Sequence, residues 1–320
     1  MMKATIEFQE KTTPKLAILG RQERNEAWSA ILENSDRYSI RNYEVLDELI
    51  YDDIDGVIIT TPSELHTRQA IRLLENGKAV FCENPLGRNL AETKAVVNQA
   101  QRSDRLLGID YAYRYTTGIQ EIKKILDEEK LGRVYAVEAI YHKATGPEKN
   151  WFYDPKLSGG GCLMEVGSHM VDLILYLFNA PSTEVRYANL LSSGKSIANH
   201  WETVEDFAEA QLCTSSGISV RLSCSWKLSI GKSADISLKI YGTEGGAAFY
   251  NIDGSANDFK AEVYSLNFKE TLVGHTEEWR DAAFIKWTEK LATNNKYSSS
   301  NNEIIKSAAL IEDIYHFTRM

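Results

Sequence analysis

The residues best suited to proton transfer stand together near the middle of the chain. Glu165 and His169 are four positions apart, so a helix there projects both side chains from one face. A carboxylate and an imidazole so placed can pass a proton to or from a bound hydroxyl. Three glycines, Gly159–Gly161, precede them and read as a flexible approach to the helix. Leu163, Val166, Met170, Leu173, Ile174 and Leu177 form an apolar stripe at helical spacing. The competing reading of such a pair is a capped helix with a hydrogen-bonded histidine. Metal chemistry has no comparable support. Cys82, Cys162, Cys213 and Cys224 form no CxxC pair and no Cys/His cluster with zinc spacing. Each lies in an apolar run and reads as a buried free thiol in a reducing compartment.

The elements that must hold these residues change character along the chain. From about residue 15 to 110, short apolar strands (16–19, 55–62, 79–82, 106–110) alternate with helical stretches at 63–76 and 89–102. This pattern predicts a parallel sheet covered on both faces. The second half carries helices at about 118–130, 160–178, 277–292 and 303–318. Strands are predicted at 133–143, 183–191, 204–213, 217–228, 235–241 and 260–268. Segment 217–228 alternates apolar with polar residues, as does a sheet with one wet face. The predicted class is α/β: a parallel-sheet domain over 1–115, then an α+β domain with a large, mostly antiparallel sheet over 116–320. The final helix is a candidate to pack back on the first domain.

Charge narrows the partners. Lys and Arg number 36 and Asp and Glu 45, a net charge of −9. Phosphate contacts need a basic face, so neither nucleic acid nor an anionic membrane surface is an expected partner. The N-terminal stretch has no apolar signal-like core, and no apolar run is long enough to span a bilayer. A cytoplasmic protein is expected.

Four segments together resemble the Gfo/Idh/MocA oxidoreductases, the glucose-fructose oxidoreductase and inositol dehydrogenase family. They are DGVIITTPSELH at 55–66, NGKAVFCENPLG at 76–87, YAYRY at 111–115 with LGRVYAVEA at 131–139, and WFYDPKLSGGGCLMEVGSHMVDLILYL at 151–177. Their order and spacing match the family from about residue 15 to the C-terminus. The resemblance implies a Rossmann-type first domain, NAD or NADP as cofactor and a sugar-like substrate. It makes His169 and Glu165, where the family carries Asp, the proton-handling pair, with Asp172 structural. It places Gly20, Arg21, Thr61, Pro62, His66, Glu83 and Pro85 along the cofactor, and Tyr113, Arg114, Trp151 and Tyr153 toward the substrate. It also implies a homodimer or homotetramer through the C-terminal sheet.

The chain departs from the family in three places. The family's catalytic lysine is Asn84, which has no ionisable proton. The first turn has Gly20 alone where a glycine-rich phosphate loop is usual. The interval from Gly20 to Thr61 reads as a helix at 22–33, a short strand at 38–40 and a helix at 45–50. The second strand and its helix are therefore expected to be deleted or reduced, with no acidic residue found at that strand's end. Three functions compete: a sugar oxidoreductase, a non-catalytic regulatory or partner subunit, and a C=N or C=C reductase of the biliverdin-reductase kind.

Overall fold

The computed structural model describes residues 13–20, 39–179, 181–198, 202–274 and 278–318. Strands β1 (Lys15–Leu19), β2 (Ser39–Tyr43), β3 (Gly56–Ile59), β4 (Ala79–Cys82) and β5 (Leu107–Ile109) form one sheet in the order β2-β1-β3-β4-β5. All four pairings are parallel. Helices α1 (Leu46–Ile50), α2 (Ser63–Glu75) and α3 (Leu90–Ser103) lie between the strands.

Alternation along these strands feeds two cores. Leu16, Ile18, Ile58 and Phe81 face the large core shared with the second half of the chain. Ala17, Leu19, Val57, Ile59 and Val80 face a smaller core with α2 and α3. Burial on both faces explains the near-continuous apolar runs.

The second half begins with α4 (Thr117–Asp127) and β6 (Val134–Lys143). A π-helical turn, Leu163–Gly167, then runs directly into α5 (Ser168–Leu177). Next come β7 (Thr183–Ser192), β8 (Lys195–Ser196), β9 (Phe207–Thr214), β10 (Ser219–Ser225), β11 (Ala234–Gly242), β12 (Gly246–Asn251), β13 (Phe259–Ser265) and β14 (Phe268–Val273). Helices α6 (Ala282–Leu291) and α7 (Asn302–Phe317) follow. The nine strands order as β14-β13-β12-β11-β6-β10-β9-β7-β8, antiparallel except for β6 beside β10. Val220, Leu222 and Cys224 are buried while Ser219 and Arg221 are exposed, so this sheet has the anticipated wet face.

Two strand expectations need correction. The second strand of the parallel sheet is present: β2 pairs with β1 from Lys15↔Ser39 to Leu19↔Tyr43. It is an edge strand, largely exposed, so it lacks the apolar run that marks its neighbours. Only its helix is reduced, to the five residues of α1. The single strand expected at 260–268 is a hairpin of β13 and β14, and β12 lies before it.

Helix α6 returns to the first sheet through Phe284, Trp287 and Leu291. Trp287 sits over Gly56 and Gly108, where an added Cβ would lie 2.6 Å from its ring in either case. Phe81 packs against the same ring at 5.7 Å between centroids. Trp287→Ala empties this slot and should cost about 3–5 kcal/mol, read from urea unfolding. Gly56→Ala, which pushes the ring out instead, should destabilise too.

Candidate active site

The site helix is held by a buried carboxylate from another part of the chain. Glu205 is 1% exposed, and its side chain accepts hydrogen bonds from Gly161 N (3.0 Å), Leu163 N (2.9 Å) and Tyr315 Oη (2.8 Å). The glycines serve this contact. A Cβ on Gly161 would lie 1.9 Å from the Glu205 carbonyl oxygen, and one on Gly160 would lie 2.0 Å from the Tyr315 hydroxyl. Their role is close approach, which replaces the expected flexible entry. Burial pushes the Glu205 carboxyl upward in pKa, and the N–H and hydroxyl donors oppose that shift.

Glu165 and His169 then take separate partners. Glu165 lies in the π turn, which opens the helical spacing. Its Oε2 accepts from Trp226 Nε1 at 2.6 Å, and its Oε1 lies 3.7 Å from Lys143 Nζ. His169 is half-buried against Tyr113 and Tyr111, with ring centroids 5.3 and 6.4 Å away. Its Nδ1 is screened from solvent and has no hydrogen-bond partner among the described residues. Burial first, and the Lys143 charge second, lower its pKa to about 4. The ring is therefore neutral at pH 7 and able to accept a proton.

Tyr113 Oη donates to Tyr141 Oη at 3.0 Å, behind His169. Arg114 proves structural. It pairs with both carboxylate oxygens of Asp172 and with Glu303, and its guanidinium stacks over Tyr111 and Tyr176. Expected toward the substrate, it instead joins α5 and α7 through Asp172 and Glu303. Trp151 stacks on Phe152, while Tyr153 bonds the Pro147 carbonyl and packs on Trp226 beside Glu165.

The cofactor-side residues lie at the carboxyl edge of the parallel sheet. Gly20 abuts this edge so closely that a Cβ would sit 1.9 Å from Thr60 Oγ1. Its N–H donates to the Tyr43 carbonyl at 3.1 Å, bringing the end of β2 beside the turn. Glu44 follows there, the acidic residue that the sequence pattern concealed. Pro62 opens α2 without a side-chain cap. Thr61 Oγ1 bonds Gln69, and Glu83 is buried after β4. Arg21 lies outside the described residues.

His66 departs from its expected role on the cofactor. Its Nδ1 and Nε2 lie 2.7 Å from the carbonyl oxygens of Pro85 and Thr61. Both nitrogens are committed to backbone, so His66 braces two turns against each other. Asn84, joined to Pro85 by a cis bond, donates from Nδ2 to Ser168 Oγ at 2.7 Å. A cavity of about 660 Å³ lies on that side, lined by Asn84, Tyr111, Ser168, Gly160 and Glu205 but not by His169 or Glu165.

A close-packed glycine turn with an acid at the end of the second strand fits a dinucleotide, and a neutral histidine follows on a sheet-backed helix. This is the layout of a dinucleotide-binding scaffold. Comparison with known proteins agrees. The model described as "Oxidoreductase family, NAD-binding Rossmann fold" matches residues 3–111, and that for the GFO/IDH/MocA C-terminal domain matches 119–248. The chain belongs to the GFO/IDH/MocA oxidoreductase family.

Among its relatives is 1,5-anhydro-D-fructose reductase of Ensifer adhaerens, 26% identical over 65% of this chain and 60% of that protein. The chain thus spans less than two thirds of that relative's length. Aldose-aldose oxidoreductase from Caulobacter crescentus, solved with glycerol, has the same fold at a TM-score of 0.78. That match has 20% identity and covers 96% of this chain and 98% of that one. A 3-ketoreductase from Actinomadura kijaniata, solved with NADP, gives 0.80 at 16% identity, covering 95% and 97%.

Three residues that touch the site helix escaped the motif reading: Glu205, Trp226 and Lys143. Glu205 and Trp226 act across long sequence separations with no local pattern. Lys143 did leave a signal. Val137, Ala139 and Tyr141 mark the buried face of β6, and position 143 continues it.

Two tests follow. Glu205→Ala orphans two buried N–H groups and a hydroxyl and should lower stability by about 2–4 kcal/mol, measured by urea unfolding. His169 supplies a pH signature. Below about pH 6.5 the unfolded chain takes up a proton that the folded protein refuses until about pH 4. Stability should therefore fall as pH drops through that window, by on the order of 2–3 kcal/mol. The profile of His169→Gln should be flatter.

Proposed function

We infer that the protein is an NAD-dependent oxidoreductase acting on a sugar or a sugar-derived alcohol or carbonyl. The observation that carries this reading is the neutral His169, with a buried ring nitrogen still lacking a partner beside the sheet's carboxyl edge. Gly20, the uncapped start of α2 and Glu44 would hold the dinucleotide, whose nicotinamide ring takes or gives the hydride. An acid beside the ribose hydroxyls suits NAD and repels the extra phosphate of NADP.

His169 accepts the substrate's hydroxyl proton in the oxidative direction and returns it in reduction. Glu165, anchored by Trp226, holds the charge balance next to it. The relatives named as acting on anhydrofructose and aldoses support a sugar-like substrate. The open face of the nine-stranded sheet, with Tyr135, Tyr187 and Tyr241 exposed among charged neighbours, supports a homo-oligomer. Among the described residues no helix is long and apolar enough to cross a membrane, and the buried free thiols support a cytoplasmic location.

Titration with NADH and NADPH, following nicotinamide fluorescence, tests the reading. NADH should bind at least tenfold tighter than NADPH, and Glu44→Ala should shrink that ratio. Oxidation of a sugar panel should be lost in His169→Ala with NADH binding retained. Failure of both nucleotides to bind would turn the reading toward a non-catalytic partner subunit.

A further inference from the structure

We propose that Lys143, reaching in from the end of β6, supplies the positive charge that the Glu83-Asn84-Pro85 turn lacks, and that its ammonium hydrogen-bonds the substrate oxygen handled by His169. This rests on the oxidoreductase reading above. Hydride transfer at a carbon–oxygen bond develops negative charge on the oxygen, and a fixed cation in a partly buried site stabilises it. Asn84 cannot do this: it is neutral, and its amide donates to Ser168.

Four observations place the charge at Lys143. Its position continues the inner face of β6 after Val137, Ala139 and Tyr141, where a lysine has no packing reason to be. Its side chain is 30% exposed, so the ammonium stands at the edge of the buried region. It lies 3.7 Å from Glu165 Oε1, too far for a close hydrogen bond. Its three donors have no hydrogen-bond acceptor among the described residues. Trp226 meanwhile fixes the other oxygen of Glu165, so the carboxylate acts as a stay that keeps Lys143 inward.

The same site therefore holds an ammonium with unfilled donors and an imidazole nitrogen with an unfilled bond. The Lys143 charge acts on that imidazole. In the proposed arrangement one hydroxyl or carbonyl oxygen of the substrate bridges the two groups. The other groups around His169 are Glu165 from the π turn and Tyr111 and Tyr113 from the preceding turn, with Tyr141 and Arg280 behind Tyr113. None of them offers a second cation directly against the ring.

The deciding experiment titrates His169 by NMR of histidine-labelled protein without nucleotide, in wild type, Lys143→Met and Lys143→Arg. Removal of the neighbouring charge should raise the proton affinity of His169 at least threefold, and arginine should keep it near wild type. An unchanged titration in Lys143→Met overturns the proposal. So does a tenfold loss of NADH affinity in that variant, because it would assign Lys143 to the cofactor. Lys143→Gln repeats the test should the methionine variant fold poorly. With a sugar alcohol that the wild type oxidises, kcat/KM should fall at least a hundredfold in Lys143→Met. Part of the loss should return in Lys143→Arg, and a normal kcat/KM would also overturn the proposal. Absence of nucleotide binding by the wild type would instead count against the oxidoreductase reading, while the histidine titration would still report on Lys143.

Discussion

A buried carboxylate with three donors around it sets the position of everything chemical in this protein. Glu205 accepts from the backbone at Gly161 and Leu163 and from the hydroxyl of Tyr315. A carboxylate without those donors would be costly to bury; with them it ties the start of the site helix to the nine-stranded sheet and to α7. The glycines at 160 and 161 are the steric counterpart, since any side chain there would hold these groups apart. Glu165 and His169 inherit their places from this anchor.

The middle of the same helix is fixed by a second polar device. Arg114 spans Asp172 and Glu303, linking the turn after β5, the site helix and the last helix. The helix is thus held by polar contacts at its start and at Asp172, while Met170, Leu173 and Ile174 pack it into the core. Such fixation suits the proton-handling role proposed for His169. It also engages all three nitrogens of Arg114 with carboxylates.

Much of this was legible in the sequence, with physical reasons for the gaps. Parallel strands buried on both faces announced themselves as apolar runs, and the site helix by its period and glycines. Strand β2 was legible only as a short strand at 38–40, and was expected to be deleted or reduced, because an exposed edge strand needs no apolar run. The four-residue spacing of Glu165 and His169 promised a direct pair, but the π turn directs them to different partners. His66 looked like a ligand and spends both nitrogens on carbonyl groups. Glu205 was illegible because its partners are backbone amides more than forty positions away in the chain. Lys143 was legible by strand parity alone, as a charge at the end of an apolar face.

The ring of Trp287 in its two-glycine slot bears on the order in which the molecule can be made. The inner face of the first sheet, with Leu16, Ile58 and Phe81, is closed by side chains from α6, which come near the end of the chain. During synthesis this sheet keeps that apolar face uncovered until residues 282–291 have been made. The parallel sheet therefore depends on a helix some 170 residues further along the chain to close its inner face.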